Sequence, residues 1–464
     1  MNHRRALADV TYTPFWLDSP SAPQPLPALV SDTDAELAVV GGGFSGLWTA
    51  LLAKERDPRC DVVVVEQRTI GWAASGRNGG FCAASLTHGL FNGLSRWPGD
   101  MPTLERLGLA NLDEIEATLT RYDIDCGWER TGELDVATEP WQVADLHDSV
   151  EPLRAHGHDV KWLDGPELRE QVASPTYLAG LWDRNGVALL DPARLAWGLR
   201  AACLRLGVRI FENTEVTALE RGTTGVVLGT PHGQIRAHRA ALCTNAFKPL
   251  LRRIRHFVVP VYDYVLMTAP LSAEQLAAVG WQDRQGIGDS ANQFHYYRLS
   301  DDNRILWGGY DAIYHFGNAL RPDLDRRAAT FALLAEHFFA TFPQLEGLRF
   351  THAWGGAIDT CSRFSPFWGT AVDGRVGYVA GYTGLGVGAS RFGAEVLLDL
   401  LGGAPTERTE LAMVRSKPVP FPPEPLRFGV IEATRRSLAR ADRNAGRRNL
   451  WLRTLDRFGL GFDS

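Results

Sequence analysis

Four residues at fixed spacing carry the plainest chemistry in this chain: Gly41, Gly43 and Gly46, within Gly41-Gly42-Gly43-Phe44-Ser45-Gly46, and Glu66, 20 residues beyond Gly46. Glycines at the first, third and sixth positions of GxGxxG permit a tight turn, a close approach of backbone to a pyrophosphate, and a helix lying near its strand. The open N–H groups and positive dipole end of a helix entered at Phe44 and Ser45 then face the phosphates. An acid at the tip of the next strand accepts hydrogen bonds from ribose hydroxyls and selects a ribose without a 2′-phosphate, so FAD or NAD fits better than NADP. Gln67 and Arg68, beside Glu66, belong to the same candidate site.

The elements needed to hold these residues are all readable. Leu37 to Val40 is an apolar run suited to a buried parallel strand, Ser45 to Glu55 is helix-compatible, and Asp61 to Glu66 is a second strand ending on the acid. An ordinary glycine-rich turn needs none of that context. Two later stretches have a similar character. Ala74-Ser75-Gly76-Arg77-Asn78-Gly79-Gly80 is too rich in glycine for a regular element, but suits a backbone that must touch a planar ligand closely. Gly381-Tyr382-Thr383-Gly384-Leu385-Gly386-Val387 leads into a helix-compatible run ending near Leu401.

Between these stretches the chain alternates helix and strand patterns. Leu104 to Tyr122 and Trp141 to His156 suit helices, and Gly132 to Ala137 alternates like a strand. Asp191-Pro192 reads as an N-cap with proline in the first turn of a helix to Leu206. Pro260 to Thr268 and Phe294 to Gly309 predict an antiparallel sheet, with Asp301-Asp302-Asn303 as a hairpin turn, followed by a helix from about Asp325 to Phe342. The proline-rich start, with Phe15-Trp16-Leu17, suits an extended strap anchored by its aromatic pair.

At 464 residues the chain suits two or three domains, and its net charge of −6 argues against binding nucleic acid. Its six scattered cysteines lack metal-ligand spacing and fit free thiols in a reducing compartment, so no metal is expected. Neither a signal peptide nor a run of about 18 apolar residues is evident, which points to a cytoplasmic protein without a membrane span. The tail from Ser416 has ten Lys and Arg against five Asp and Glu, but Glu432, Asp442 and Asp456 interrupt its basic face and could pair within a helix.

Taken together, GGGFSG with Glu66, ASGRNGG and the Gly381–Val387 run resemble the D-amino-acid-oxidase and glycine-oxidase (DAO) family of FAD-dependent oxidoreductases, over about Leu37 to Gly403. The ASGRNGG loop most resembles the γ-glutamylputrescine-oxidoreductase branch. The resemblance implies an α/β fold: a Rossmann-like FAD-binding domain from residues 35–90, 180–255 and 350–415, and an α+β substrate domain with an antiparallel sheet from 91–179 and 256–349. A strap (1–34) and a basic helical tail (416–464) flank them. It also implies non-covalent FAD reached by the ASGRNGG loop, Val216 near the adenine, Thr244 and Asn245 near the pyrophosphate, and Gly355 and the Gly384-Leu385-Gly386-Val387 helix start near the flavin.

The activity so implied is oxidation of a C–H bond next to nitrogen in an amine or amino acid. The imine hydrolyses, and dioxygen or another acceptor takes the electrons. His295, Tyr297, Tyr264 and Trp354 are the candidate substrate wall, with His295 as a candidate proton acceptor. Strand alternation puts His295 and Tyr297 on one face and Tyr296 and Arg298 on the other, turned from the flavin. Amino-acid-oxidising members carry an arginine just after the position resembling Trp354-Gly355-Gly356, where this chain has Ala357-Ile358-Asp359. A free α-carboxylate is therefore disfavoured unless Arg298 or another arginine serves. No cysteine stands at Trp354 to tether the flavin, and no lysine lies between Lys248 and Lys417 to assist dioxygen. A dehydrogenase passing electrons to a quinone or protein, and a non-catalytic FAD-binding subunit, stay open as alternatives.

Overall fold

The computed structural model describes residues 3–460; Met1 and Asn2 of the expected strap and Gly461 to Ser464 of the tail lie outside the described residues. Strand Thr33–Val40 sits inside an eight-stranded sheet. It pairs in parallel with Val62–Val65, Leu37 against Val62 through Val40 against Val65, and on its other side with Gly233–Leu242. Val62–Val65 is buried at every position, as four consecutive valines covered on both sheet faces should be. Arg209–Phe211 extends the sheet beyond Val62–Val65, and Val376–Ala380 extends it beyond Gly233–Leu242. Helix Phe44–Arg56 packs against Gly386–Gly402 and Pro192–Arg205. Asp191 caps the last of these, accepting from the N–H groups of Ala193 at 2.9 Å and Arg194 at 3.0 Å.

A second, nine-stranded sheet is antiparallel except where Gly286–Asp289 runs parallel to Glu133–Ala137. Its backbone is the long pairing of Val259–Thr268 with Phe350–Thr360, next to the hairpin His295–Leu299 and Ile305–Gly309. The turn falls where expected, with Asn303 in the left-handed region at φ 60°. Helix Ala328–Thr341 covers one face with Phe331, Leu334 and Phe338, packed among Tyr264, Tyr297 and Trp307. Removing a ring such as Phe338, which is fully buried, would cost about 3–5 kcal/mol. The other face, with Asp263, Val265, Tyr296 and Leu306, turns toward the first sheet's glycine loops. Trp16 of the strap is buried there, its indole N–H donating to the Asn78 carbonyl at 2.9 Å.

The expected helix from Trp141 to His156 is two helices, Pro140–Asp148 and Val150–Ala155, broken around Ser149. The tail forms helices Leu426–Asp442 and Leu450–Arg457. Among the described residues no helix is long and apolar enough to cross a membrane.

Candidate active site

A cavity of about 780 Å³ runs between the two sheets, and three glycine-rich stretches meet on it, the third about 300 residues beyond the first two. Ser75 joins the first two, its Oγ accepting from the Phe44 N–H at 2.9 Å. Ser45 joins the first and third, its hydroxyl donating to the Tyr382 hydroxyl at 2.8 Å. Gly41 adopts φ +111°, and a Cβ there would meet the Cys243 carbonyl at 2.4 Å. Gly46 does not line the cavity; a Cβ on it would strike the Gly41 carbonyl at 1.8 Å, so its absence lets the helix lie on the turn.

Two helix starts open on this cavity. In the first, the Leu47 N–H makes the earliest intrahelical bond, to the Gly43 carbonyl, leaving the N–H groups of Ser45 and Gly46 without an intrahelical acceptor. In the second, the Ala389 N–H bonds the Leu385 carbonyl, leaving Gly386, Val387 and Gly388 in the same position. Gly384, at φ +95°, has no atom within 4 Å of where its Cβ would stand. Bare backbone, paired helix dipoles and open space along one wall fit a long dianionic dinucleotide with a planar ring.

Glu66 sits at the tip of its strand, buried, with Oε2 accepting from the Gly42 N–H at 2.7 Å. Its Oε1 takes the Arg68 N–H at 2.9 Å and the Trp72 indole N–H at 2.7 Å. Burial raises its carboxyl above the usual range, against the pull of those three donors. Only Oε2 keeps a lone pair for a ribose hydroxyl. Trp72 was not visible as a site residue from spacing; its ring also carries the Arg68 guanidinium at 4.4 Å and lines the cavity.

Gln67, Ala74, Asn78, Gly79, Val216, Thr244, Asn245, Leu385, Gly386 and Val387 also line the cavity. Arg68, Gly76, Gly80 and Gly355 do not. Gly76 packs against Leu17 and Gly80 against the Leu190 carbonyl, while the Gly355 carbonyl accepts from Arg77 at 3.1 Å. Arg77, on the cavity wall, also donates to the Trp72 carbonyl and pairs with Asp325.

The roof face differs from the expected one. His295, Tyr297 and Tyr264 point into the helix-covered core, and none lines the cavity. Tyr297 shares a hydrogen bond with the Tyr177 hydroxyl at 2.7 Å, and the Tyr264 hydroxyl donates to the Leu324 carbonyl at 2.9 Å. His295 is held between Asp289 at 2.6 Å and His337 at 2.9 Å. Trp354 is on the flavin-loop face but beyond the cavity, packed near Trp16 with its indole N–H on the Arg77 carbonyl at 2.8 Å. The Phe331 and Phe338 helix takes the Tyr297 face for its own apolar contact, which leaves Tyr296 to the cavity.

Arg298 shares the Tyr296 face and so points toward the glycine loops, opposite to expectation. Its guanidinium is spent on carbonyls of Leu190 at 2.7 Å, Leu299 at 3.0 Å and Gly80 at 3.3 Å, and does not line the cavity.

The roof strands instead bring acids to the cavity. Asp263, unnoticed in the sequence although it interrupts an apolar strand, accepts the Tyr296 hydroxyl and the Tyr264 N–H. Burial raises its carboxyl to about 6, with the Tyr296 bond pulling the other way. Asp359 lines the wall and accepts from the Gly381 N–H at 2.7 Å, fixing the turn into the Gly386 helix; burial raises it too, to about 6. Glu133 is a third acid on the wall, its carboxyl raised by burial and then by neighbouring Asp135. Cys361 also reaches the wall, but its thiol donates to the carbonyls of Ser365 and Gly381, and burial raises it.

The fold and the cavity define a dinucleotide-binding oxidoreductase with an antiparallel roof. Residues 36–400 match the family model described as DAO, FAD dependent oxidoreductase. The γ-glutamylputrescine oxidoreductase of Escherichia coli is 32% identical over 389 residues, covering 82% of this chain and 86% of that protein. A probable oxidoreductase, OrdL, of Haemophilus influenzae is 28% identical over 83% of this chain and 88% of its own. The crystal structure of glycine oxidase from Geobacillus kaustophilus aligns with a TM-score of 0.67 at 20% identity, over 82% of this chain and 99% of that one. The chain belongs to the DAO family of FAD-dependent oxidoreductases, enzymes acting on C–N bonds, and FAD is its cofactor.

Proposed function

We propose that this enzyme oxidises the C–N bond of an amine lacking the free α-carboxylate of a simple amino acid, with dioxygen as acceptor, as a cytoplasmic enzyme holding FAD non-covalently. One observation carries the reading: the roof side of the cavity carries three acids while its arginines are already engaged, and Lys248 lines the cavity on the other side, beside Thr244 and Asn245. Arg77 is tied to Asp325 and two carbonyls, Arg435 to Glu432, and Arg448 to Asp456. Burying a substrate carboxylate among Asp263, Asp359 and Glu133 would cost several kcal/mol, whereas an ammonium would relieve their desolvation.

Bound FAD supplies a hydride acceptor for the carbon next to nitrogen and a route for two electrons to the final acceptor. The chain's part is to orient and deprotonate. Gly43, Ser45 and the Gly386 helix start would hold the dinucleotide; Asp263, steadied by the Tyr296 hydroxyl, receives the incoming ammonium and takes up its proton, so that the free-base amine meets the cofactor. The identity with γ-glutamylputrescine oxidoreductase supports an amine whose reacting carbon itself bears no carboxylate. Aerobic turnover of carboxylate-free amines tests the acceptor: one hydrogen peroxide per amine consumed is expected. Turnover that needs an added quinone and yields no peroxide would replace dioxygen by that acceptor.

A further inference from the structure

The tail does not trail away from the enzyme. From Val419 the chain runs along the cavity, the Phe421 N–H donating to the His256 carbonyl at 2.7 Å, before helices Leu426–Asp442 and Leu450–Arg457 cross the substrate end. It is fastened there. Arg427 donates to Asn318 at 2.8 Å, and Arg435 reaches Asp311 at 3.7 Å. Asp442 accepts from the Asn292 N–H at 2.9 Å, the Asn292 side-chain amide at 2.6 Å and the Gln293 N–H at 3.0 Å. Asn292, Gln293 and Asp311 are themselves cavity residues next to the roof hairpin.

The tail's two arginines on the cavity are compensated within the tail, Arg435 by Glu432 at 3.1 Å and Arg448 by Asp456 at 2.6 Å. Beside Thr434 and these two ion-paired arginines, the tail shows the cavity an apolar stripe: Ile431 and Leu438, two turns apart on one helix, and Leu452 and Leu455 on the other. This wall lies beyond residue 400, where the match to the family model ends.

The geometry points to the C-terminal helix pair as the specificity-determining wall of the site, selecting amines whose far end is an apolar group. This rests on the proposed amine reading, since it places the reacting nitrogen at Asp263 and the apolar end against Leu438 and Leu455. The two readings fail separately if binding is measured apart from reduction.

Holoenzyme is titrated under nitrogen with straight-chain amines from propylamine to heptylamine, reading binding from the perturbed flavin spectrum and reduction from bleaching. Affinity should rise roughly fourfold per methylene until the wall is reached. Leu438→Ala and Leu455→Ala should each weaken heptylamine by about tenfold, with propylamine changed less than about twofold. Asp442→Ala, outside the cavity, should reproduce the loss by releasing the tail, and it serves if the leucine variants do not fold. A terminal diamine of heptylamine's length should bind at least about tenfold more weakly, because its second ammonium meets leucines. Affinity independent of chain length, or a length dependence that survives in all three variants, would overturn the inference. Length-dependent binding without bleaching would leave the wall standing and overturn the amine-oxidation reading.

Discussion

The two ends of the cavity are built on different logics. At the nucleotide end the constraints are on backbone: Gly41 must hold φ +111°, Gly46 must carry no Cβ against the Gly41 carbonyl, and Glu66 must end a strand in register with Val40. Each is imposed within a few residues, and no other amino acid satisfies the glycine positions. At the roof end the constraints are on side chains that alternate across a sheet, and which face meets substrate depends on a helix about 30 residues further along the sequence. The first kind of site tolerates little change in sequence. The second can be retuned by exchanging single side chains, and here it holds acids where amino-acid oxidation would call for an arginine.

The sharpest way to break this contrast is at Gly43, where a Cβ would lie 2.8 Å from Ser75 Oγ and on the cavity wall. Gly43→Val should lower FAD affinity by at least about 100-fold, from about 3 kcal/mol of overpacking. Flavin absorbance of the purified variant reads it, and full occupancy would displace the dinucleotide from this turn.

Asp263→Asn comes next. Loss of a charged hydrogen bond should slow anaerobic flavin reduction by about 10- to 100-fold at neutral pH, from about 1.5–3 kcal/mol. Because its carboxyl is raised to about 6, the wild-type reduction rate should climb as pH rises through about 6, and the variant should lack that limb. Stability has the opposite sign. The folded state favours the protonated acid, so Asp263 makes the cofactor-free protein less stable as pH rises from about 4 to about 6, and the Asn variant should flatten that part of the melting curve.

Tyr296 and Tyr297 sharpen the comparison, being neighbours on opposite faces. Tyr296→Phe should slow reduction by about 3- to 10-fold by loosening Asp263, from about 0.5–1.5 kcal/mol. Tyr297→Phe should leave reduction within about twofold and cost about 1 kcal/mol of stability by stranding the Tyr177 hydroxyl. The reverse ranking would restore the other face to the site. The smallest expected effect is at Cys361: acid precipitation should release all yellow colour from wild type and Cys361→Ser alike, and a coloured wild-type pellet would show a covalent link.

The sequence was most readable where one residue type has one physical reason to be present. The turn at Gly41, its flanking strands, the cap at Asp191 and the hairpin at Asn303 stand where spacing puts them. The roof face was not readable, because His295-Tyr296-Tyr297-Arg298 offers an aromatic and a polar residue to each side, so alternation defines two faces without saying which is covered. Asp263 carried a usable signal, as an acid inside an apolar strand. Trp72 and the tail carried none. Trp72 reaches Glu66 only through the folded loop, and Leu438 and Leu455 line the cavity only because Asp442 binds a segment 150 residues earlier in the chain.

The central claim is that the substrate end receives an amine and refuses a free α-carboxylate. Its most direct test is anaerobic reduction of the bound FAD by glycine, sarcosine and D-alanine beside amines without the carboxylate, followed by stopped-flow absorbance. Fast bleaching by the carboxylate-free amines, with the three amino acids slower by at least about 100-fold, is expected from the several kcal/mol needed to bury an unpaired carboxylate. Fast bleaching by glycine, sarcosine and D-alanine, abolished in Arg298→Leu, would show that Arg298 leaves its carbonyls to clamp a carboxylate, and would contradict the account.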